Sequence, residues 1–266
     1  MSLFTLFTHK PLRQCIKLFV LSTLASSVMA LDASGQKTSN KYFHESISRG
    51  HSDARFDQGP LSYEARREGL SALITAYLST MNDIGTETWL MHGSLLGWYW
   101  NRKILPWDVD LDVQITEKSM QHLSDHYNMT IHHFDSPQSE FGRDYLLEVN
   151  PNWTNSSTAD VENKIDARWI DISTGLYVDI TTVHRDQHGE ASGVNGVLMC
   201  KDKHRYKHSD IFPLRQTTFE NVAAKVPFAF ANVLVEEYGS LALTTTVFEG
   251  HRFDYSLREW VPSLTS

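Results

Sequence analysis

"HGSLLGWYWNRKILPWDVDLDV", residues His92–Val113, places three aspartates at alternate positions behind a proline and a tryptophan, in a stretch otherwise rich in apolar and aromatic side chains. Carboxylates are seldom buried beside such residues unless something positive meets them. Read with the pleat of a strand, the alternation turns Asp108, Asp110 and Asp112 to one face. "TWLMHG" before it reads as a short strand and "SLLGWYWN" as the start of a helix, so strand, helix and strand follow closely.

Outward from this stretch the same alternation of element types continues. Leu70, Leu73, Ile74, Tyr77, Leu78 and Met81 recur at helical spacing, with Gly85 placed to stop the helix. "DYLLEVN", "ARWIDI", "LYVDITTV" and "GVLMCKD" have strand character, while "EKSMQHLSDHY" and "FAFANVLVEEYG" read as helices. The expected fold class is α+β, with a central mixed sheet flanked by helices in one domain over residues 61–266. Residues 31–60 are polar and aperiodic, a stalk that becomes an ordered loop near "KYFHE".

The first 30 residues carry positive charge followed by the apolar run "LFVLSTLASSVMA", the pattern of a secretory signal peptide with Val28 and Ala30 at the cleavage site. The run falls short of the ~20 residues that span a bilayer, and an uncleaved anchor is the other reading. Sequons at Asn128, Asn152 and Asn155 agree with passage through the secretory pathway. The expected address is the Golgi lumen or the exterior. Cleavage would remove Lys10, Arg13 and Lys17 and no acid, making the formal charge of -8 more negative. That argues against a nucleic-acid partner. Cys15 would leave as well, so Cys200 remains alone and reads as a small buried hydrophobe.

Three like charges on one face raise one another's pKa unless a multivalent cation neutralises them, and an all-oxygen ligand set selects Mg²⁺ or Mn²⁺. The other reading of the aspartates is a turn cap at Asp108 with the remaining two in solvent. Gly93 and Ser94 open a helix, where exposed N–H groups bind anions, and a phosphate cradle beside a carboxylate-held metal implies phosphoryl transfer. Asp179, Asp171 and Glu148 are rival sources of a further carboxylate, and their local patterns do not separate them. Arg102 and Lys103 lie between cradle and aspartates as candidate phosphate contacts. Lys201, Lys203, His204, Arg205, Lys207 and His208 form a basic cluster that reads as a solvated loop, with His204 and His208 spaced as a weak zinc pair. Trp98, Tyr99, Trp100 and Trp107 read as core, and His92 as a packed, hydrogen-bonded histidine.

"HGSLLG", "PWDVDLDV" and "GLYVDI", followed by "DIFPL" and "EEYG", resemble the LicD family, which includes fukutin and fukutin-related protein. "KYFHE", "GHSDARF" and "RWIDISTGLYVDITTV" resemble in particular its fungal members linked to mannosylphosphate transfer onto cell-wall glycans. The resemblance implies a nucleotidyltransferase-like fold and a donor that is a nucleotide-sugar or nucleotide-alcohol. It implies Asp110, Asp112 and Asp179 as catalytic metal ligands, with Asp108 on a second metal or orienting the chain. Gly93 and Ser94 would cradle the donor diphosphate, and Asp179 could also take the proton of the glycan acceptor. A regulatory subunit bound to a transferase partner, and a DxD glycosyltransferase, are the alternatives. Asn221 stands where the family usually has glycine in "FEG", which puts a tight turn there in question.

Overall fold

The computed structural model describes residues 40–263 apart from 48–49, 137–138, 187–190 and 192–195. The leader expected over residues 1–30 lies outside the described residues. Among the described residues, no helix is long and apolar enough to cross a membrane.

Helix α1 (Tyr63–Asp83) starts where Ser62 Oγ accepts the Ala65 N–H at 3.1 Å, and it ends before Gly85, whose φ is +69°. Its expected apolar stripe is buried from Leu70 to Met81. Strand β1 (Thr88–Leu90) then leads directly into α2 (His92–Asn101). Strand β2 (Asp112–Thr116), α3 (Glu117–His126), β3 (Thr130–Ser136) and β4 (Ser139–Val149) follow, and a 3-10 turn (Pro151–Thr154) leads on to β5 (Ala167–Asp171) and β6 (Tyr177–Arg185).

The central sheet runs β1-β2-β6-β5-β4-β3, and β7 (Val197–Met199) and β8 (Arg205–Lys207) continue from β6. Only β2 and β6 are parallel among these pairings, so the sheet is mixed, as expected. Strand β5 is buried at every residue, and β6 is buried except at Asp179 and its end. Such strands are covered on both faces, which is why they read as nearly continuous apolar runs. Trp169 stacks on Tyr145 with ring centroids 5.6 Å apart and meets Tyr77 of α1 edge-on at 6.1 Å.

The remaining chain closes one end. The short α4 (His208–Ile211) leads to a hairpin of β9 (Arg215–Phe219) and β10 (Val222–Val226), followed by α5 (Phe230–Tyr238) and a 3-10 turn (Ser240–Leu243). A three-stranded sheet of β11 (Val247–Phe248), β12 (His251–Asp254) and β13 (Glu259–Pro262) completes the domain. Trp100 and Trp107 pack on Trp260 with centroids 4.9 and 4.8 Å away, and Trp98 meets Phe230 at 4.9 Å. These aromatics are core, as read.

The two-residue turn between β9 and β10 carries φ of +46° at Glu220 and +66° at Asn221. Asn221 therefore holds the left-handed backbone that glycine would supply, and the turn keeps its geometry. Glu220 uses it to reach back, accepting from the Ile104 N–H at 2.8 Å and from Ser71 Oγ at 2.8 Å.

Residues 40–47 and 50–57 are ordered, in line with the loop expected near "KYFHE". Asp53 N–H donates to Gly175 O at 2.8 Å, Tyr42 OH donates to Glu148 at 2.9 Å, and Arg55 bridges Asp53 and Glu148. The segment lies across the sheet because its charged groups find buried partners there.

Candidate active site

One expectation about the aspartates needs correction. Strand β2 begins at Asp112, so Asp108 and Asp110 sit in the loop before it rather than on one strand face. Strand β1 is three residues long and its pairing ends with Leu90 opposite Val113, which leaves residues 108–110 without an antiparallel partner. The chain turns instead, with the Asp108 N–H donating to Leu105 O at 3.0 Å. Asp108 still reaches the site, because the loop folds it against the start of α2.

The parallel pairing of β2 with β6 sets Asp112 directly opposite Asp179. The rival carboxylates are engaged elsewhere: Asp171 accepts from Arg143 at 3.0 Å, and Glu148 holds Arg55 and Tyr42. The structure thus chooses Asp179 as the carboxylate beside the motif. Burial raises Asp112 well above the usual carboxylate range, and Asp110 adds to the rise. Asp108 is raised likewise, by burial first and then by Asp110, and its Oδ2 is buried without a hydrogen-bond partner. Burial also raises Asp179, while Arg168 pulls the other way.

Basic side chains surround this group, which answers what meets the aspartates. Arg168, almost fully buried, donates from Nε to Asp179 at 2.7 Å and lies 3.6 Å over the Tyr177 ring. His51 Nδ1 stands 3.3 Å from Asp110 Oδ2. His92 borders Asp112 and lowers its pKa.

The start of α2 frames the other side. Ser94 Oγ accepts the Asp112 N–H at 3.0 Å, tying the helix to the first residue of β2. A Cβ on Gly93 would fall 2.7 Å from Asp108 Oδ2. On the metal-dependent reading proposed below, Gly93→Ala should push the Asp108 carboxylate aside and weaken the binding of Mn²⁺ together with a donor nucleotide. Equal dissociation constants for parent and variant by calorimetry would sink the claim.

Arg102 and Lys103 are not brought to the carboxylates. They follow the C-terminal end of α2, about 15 Å along the helix from Gly93. Lys103 pairs with Glu259, and the Arg102 carbonyl accepts from the Glu220 N–H. The basic cluster is not uniformly solvated either. Lys201 is fully buried, 2.7 Å from Asp166 Oδ1, and donates to the carbonyls of Asn152 and Asn163. His204 precedes β8 and His208 opens α4, so they do not share a helix face. Cys200 is buried, as expected, and its thiol donates to Asp202 Oδ1 at 2.6 Å. The three sequon asparagines are exposed.

His92 is packed and hydrogen-bonded, with Nδ1 2.6 Å from Glu237 Oε1. Burial opposes its charge, but Glu237, helped by Asp112 and Asp202, outweighs burial and pushes its pKa up to about 10. A histidine near 6.5 when unfolded then contributes stability that is complete below that pH and is lost as pH rises toward about 10. The unfolding midpoint of chelator-treated protein should fall across that window, and Glu237→Gln should flatten the fall. Parallel pH profiles for the two proteins would contradict it.

Residues 85–229 match the family model described as LicD/FKTN/FKRP, nucleotidyltransferase domain. This chain belongs to the LicD family. The matched span holds Gly93, Ser94, the three motif aspartates and Asp179. Two curated proteins of Saccharomyces cerevisiae are similar to this LicD chain. Mannosyltransferase regulator 4 is 38% identical over 119 residues, which is 45% of this chain and 10% of that protein. Mannosyltransferase regulator 14 is 34% identical over 157 residues, 59% of this chain and 16% of that protein. The LicD chain therefore spans only a small part of the length of these relatives.

Proposed function

We propose that this chain is a metal-dependent LicD-type phosphotransferase of the secretory pathway, in the Golgi lumen or outside the cell. Its reaction moves mannose phosphate from GDP-mannose to a glycan hydroxyl. The observation that carries this reading is the register of β2 and β6, which sets Asp112 and Asp179 side by side under the start of α2. The family supports the transferase chemistry, and the names of the two yeast relatives support the mannosyl donor.

The residues fit a hard divalent cation. Asp108 and Asp112 are half-buried, mutually repelling carboxylates, and Asp108 offers a buried oxygen, Oδ2, that no protein donor satisfies. Mg²⁺ or Mn²⁺ held by Asp108, Asp110, Asp112 and Asp179 would neutralise charge on the donor diphosphate. The backbone N–H groups of Gly93 and Ser94 would bind that diphosphate at the helix start. Ser94 accepts from the Asp112 N–H, so its own hydroxyl proton can turn to the donor. Arg168 orients Asp179, which would accept the proton of the acceptor hydroxyl. The acceptor oxygen forms a bond to the phosphorus that carries mannose, and the bond from that phosphorus to the bridging oxygen breaks. GMP leaves with the bridging oxygen, and mannose phosphate remains on the glycan.

A second reading has its own support: both yeast relatives are named regulators, and Asp179 is already paired with Arg168. In that case the chain holds nucleotide and serves a partner transferase. Nucleotide release by the purified chain, with Mn²⁺, a mannan acceptor and GDP-mannose or a CDP-alcohol, separates the readings. GMP establishes phosphoryl transfer from GDP-mannose, CMP corrects the donor, and GDP identifies a glycosyltransferase. Bound nucleotide without release assigns the regulatory role.

A further inference from the structure

Among the described residues, the three metal-capable side chains whose ligand atoms converge within 4.8 Å are not the motif aspartates. They are His92, Asp202 and His204. His92 opens α2, while Asp202 and His204 sit in the tight turn joining β7 to β8. That turn is closed by the Cys200 N–H donating to His204 O and the Lys203 N–H donating to Cys200 O, both at 3.1 Å. The His92 and His204 rings lie 4.9 Å apart, and His204 Nε2 stands 3.5 Å from Asp202 Oδ2.

We propose that His92, Asp202 and His204 form a zinc site that clips the start of α2 to the β7–β8 turn. Two imidazoles and a carboxylate are a nitrogen and oxygen set that suits zinc, with three protein ligands and one further position. Zinc bonds of about 2.1 Å at tetrahedral angles need ligand atoms about 3.4 Å apart. Asp202 and His204 already meet that spacing, and the turn fixes both. His92 offers Nε2, since Nδ1 faces Glu237 at 2.6 Å. A carboxylate behind a histidine sets its tautomer and orientation, the usual arrangement behind a zinc-bound histidine. Glu237 is nearly as buried as His92, with side-chain exposures of 5% and 4%. The site lies next to the cradle without sharing a ligand with it, because Gly93 and Ser94 directly follow His92 in sequence.

The test uses the full chain, stripped with chelator and titrated with Zn²⁺ alone, and reads metal content and unfolding midpoint. About one zinc per chain should be retained after desalting, with a raised midpoint. His204→Gln and the more conservative Asp202→Asn should each lose that zinc. Asp112→Asn should keep it, which separates this site from the motif carboxylates. Glu237→Gln should weaken zinc binding by about 10–100-fold, as loss of a carboxylate behind a ligand does. Circular dichroism of the metal-free variants controls for folding. Failure of the parent chain to bind zinc overturns the proposal, and so does equal retention by parent and both ligand variants. Nucleotide release plays no part in the readout, so the outcome is independent of the transferase reading.

Discussion

Asp112→Asn should sharply slow the proposed metal-dependent nucleotide release while making the metal-free protein more stable. Asp112 stands opposite Asp179 and beside Asp110, and burial with those neighbours raises its pKa. A carboxylate raised in the folded state stabilises it below the pKa of the unfolded chain, and that contribution is lost as pH rises through the folded value. Above the ordinary carboxylate pKa the group therefore costs the fold stability, and asparagine of nearly the same shape removes that cost. The same change removes a ligand from the cation that would face the donor diphosphate. Turnover should drop by about 10²–10³-fold, the scale of losing one preorganised electrostatic contact. The unfolding midpoint in chelator should rise at pH 7 and converge with that of the parent at low pH. A variant that releases nucleotide as fast as the parent would remove Asp112 from the chemistry. A midpoint that falls would mean that the backbone tie to Ser94 depends on the charge.

Arg168→Met should cost up to about 3 kcal/mol, because it leaves the half-buried Asp179 carboxylate without its buried counter-charge. Arg168 is 1% exposed, donates to Asp179 and Glu45, and lies between the Tyr177 and Phe43 rings at 3.6 and 5.0 Å. Methionine can fill much of the stem's volume, so the loss tracks charge more than packing. Asp179 in the variant can escape its isolation only by binding a proton. The deficit should therefore be larger at pH 8 than at pH 5. Adding Asp179→Asn should restore much of it, and denaturant midpoints of the four proteins in the cycle measure the coupling. If the double variant is as unstable as the single one, the loss belongs to the aromatic sandwich and not to the ion pair.

Much of the scaffold is legible in the residues themselves. The helical spacing from Leu70 to Met81 and the apolar runs around Trp169 and Ile180 have one period each, and burial follows it. The limits come where spacing along the chain says nothing about neighbours in space. Three carboxylates with the same local pattern, Glu148, Asp171 and Asp179, differ only in which arginine reaches them, and sheet order decides that. Lys201 looks like one of a run of surface cations, yet the apolar "VLMC" before it carries the chain inward to Asp166. His204 has its natural counterpart in His92, more than 100 residues earlier, and no local spacing links them. The alternation of Asp108, Asp110 and Asp112 is real in sequence, but a strand also needs a partner, and β1 is too short to supply one.

The rung that joins Asp112 to Asp179 also fixes when the carboxylate pair can exist. Synthesis runs from the amino end, so the motif aspartates leave the ribosome well before β6 exists to lie beside them. A growing chain that has made α2 and β2 holds a half-built pocket with no Asp179 and no Arg168. Copies arrested, cleaved or misfolded ahead of Tyr177 lack the pairing of Asp112 with Asp179, and that pairing reports that the middle of the sheet has closed.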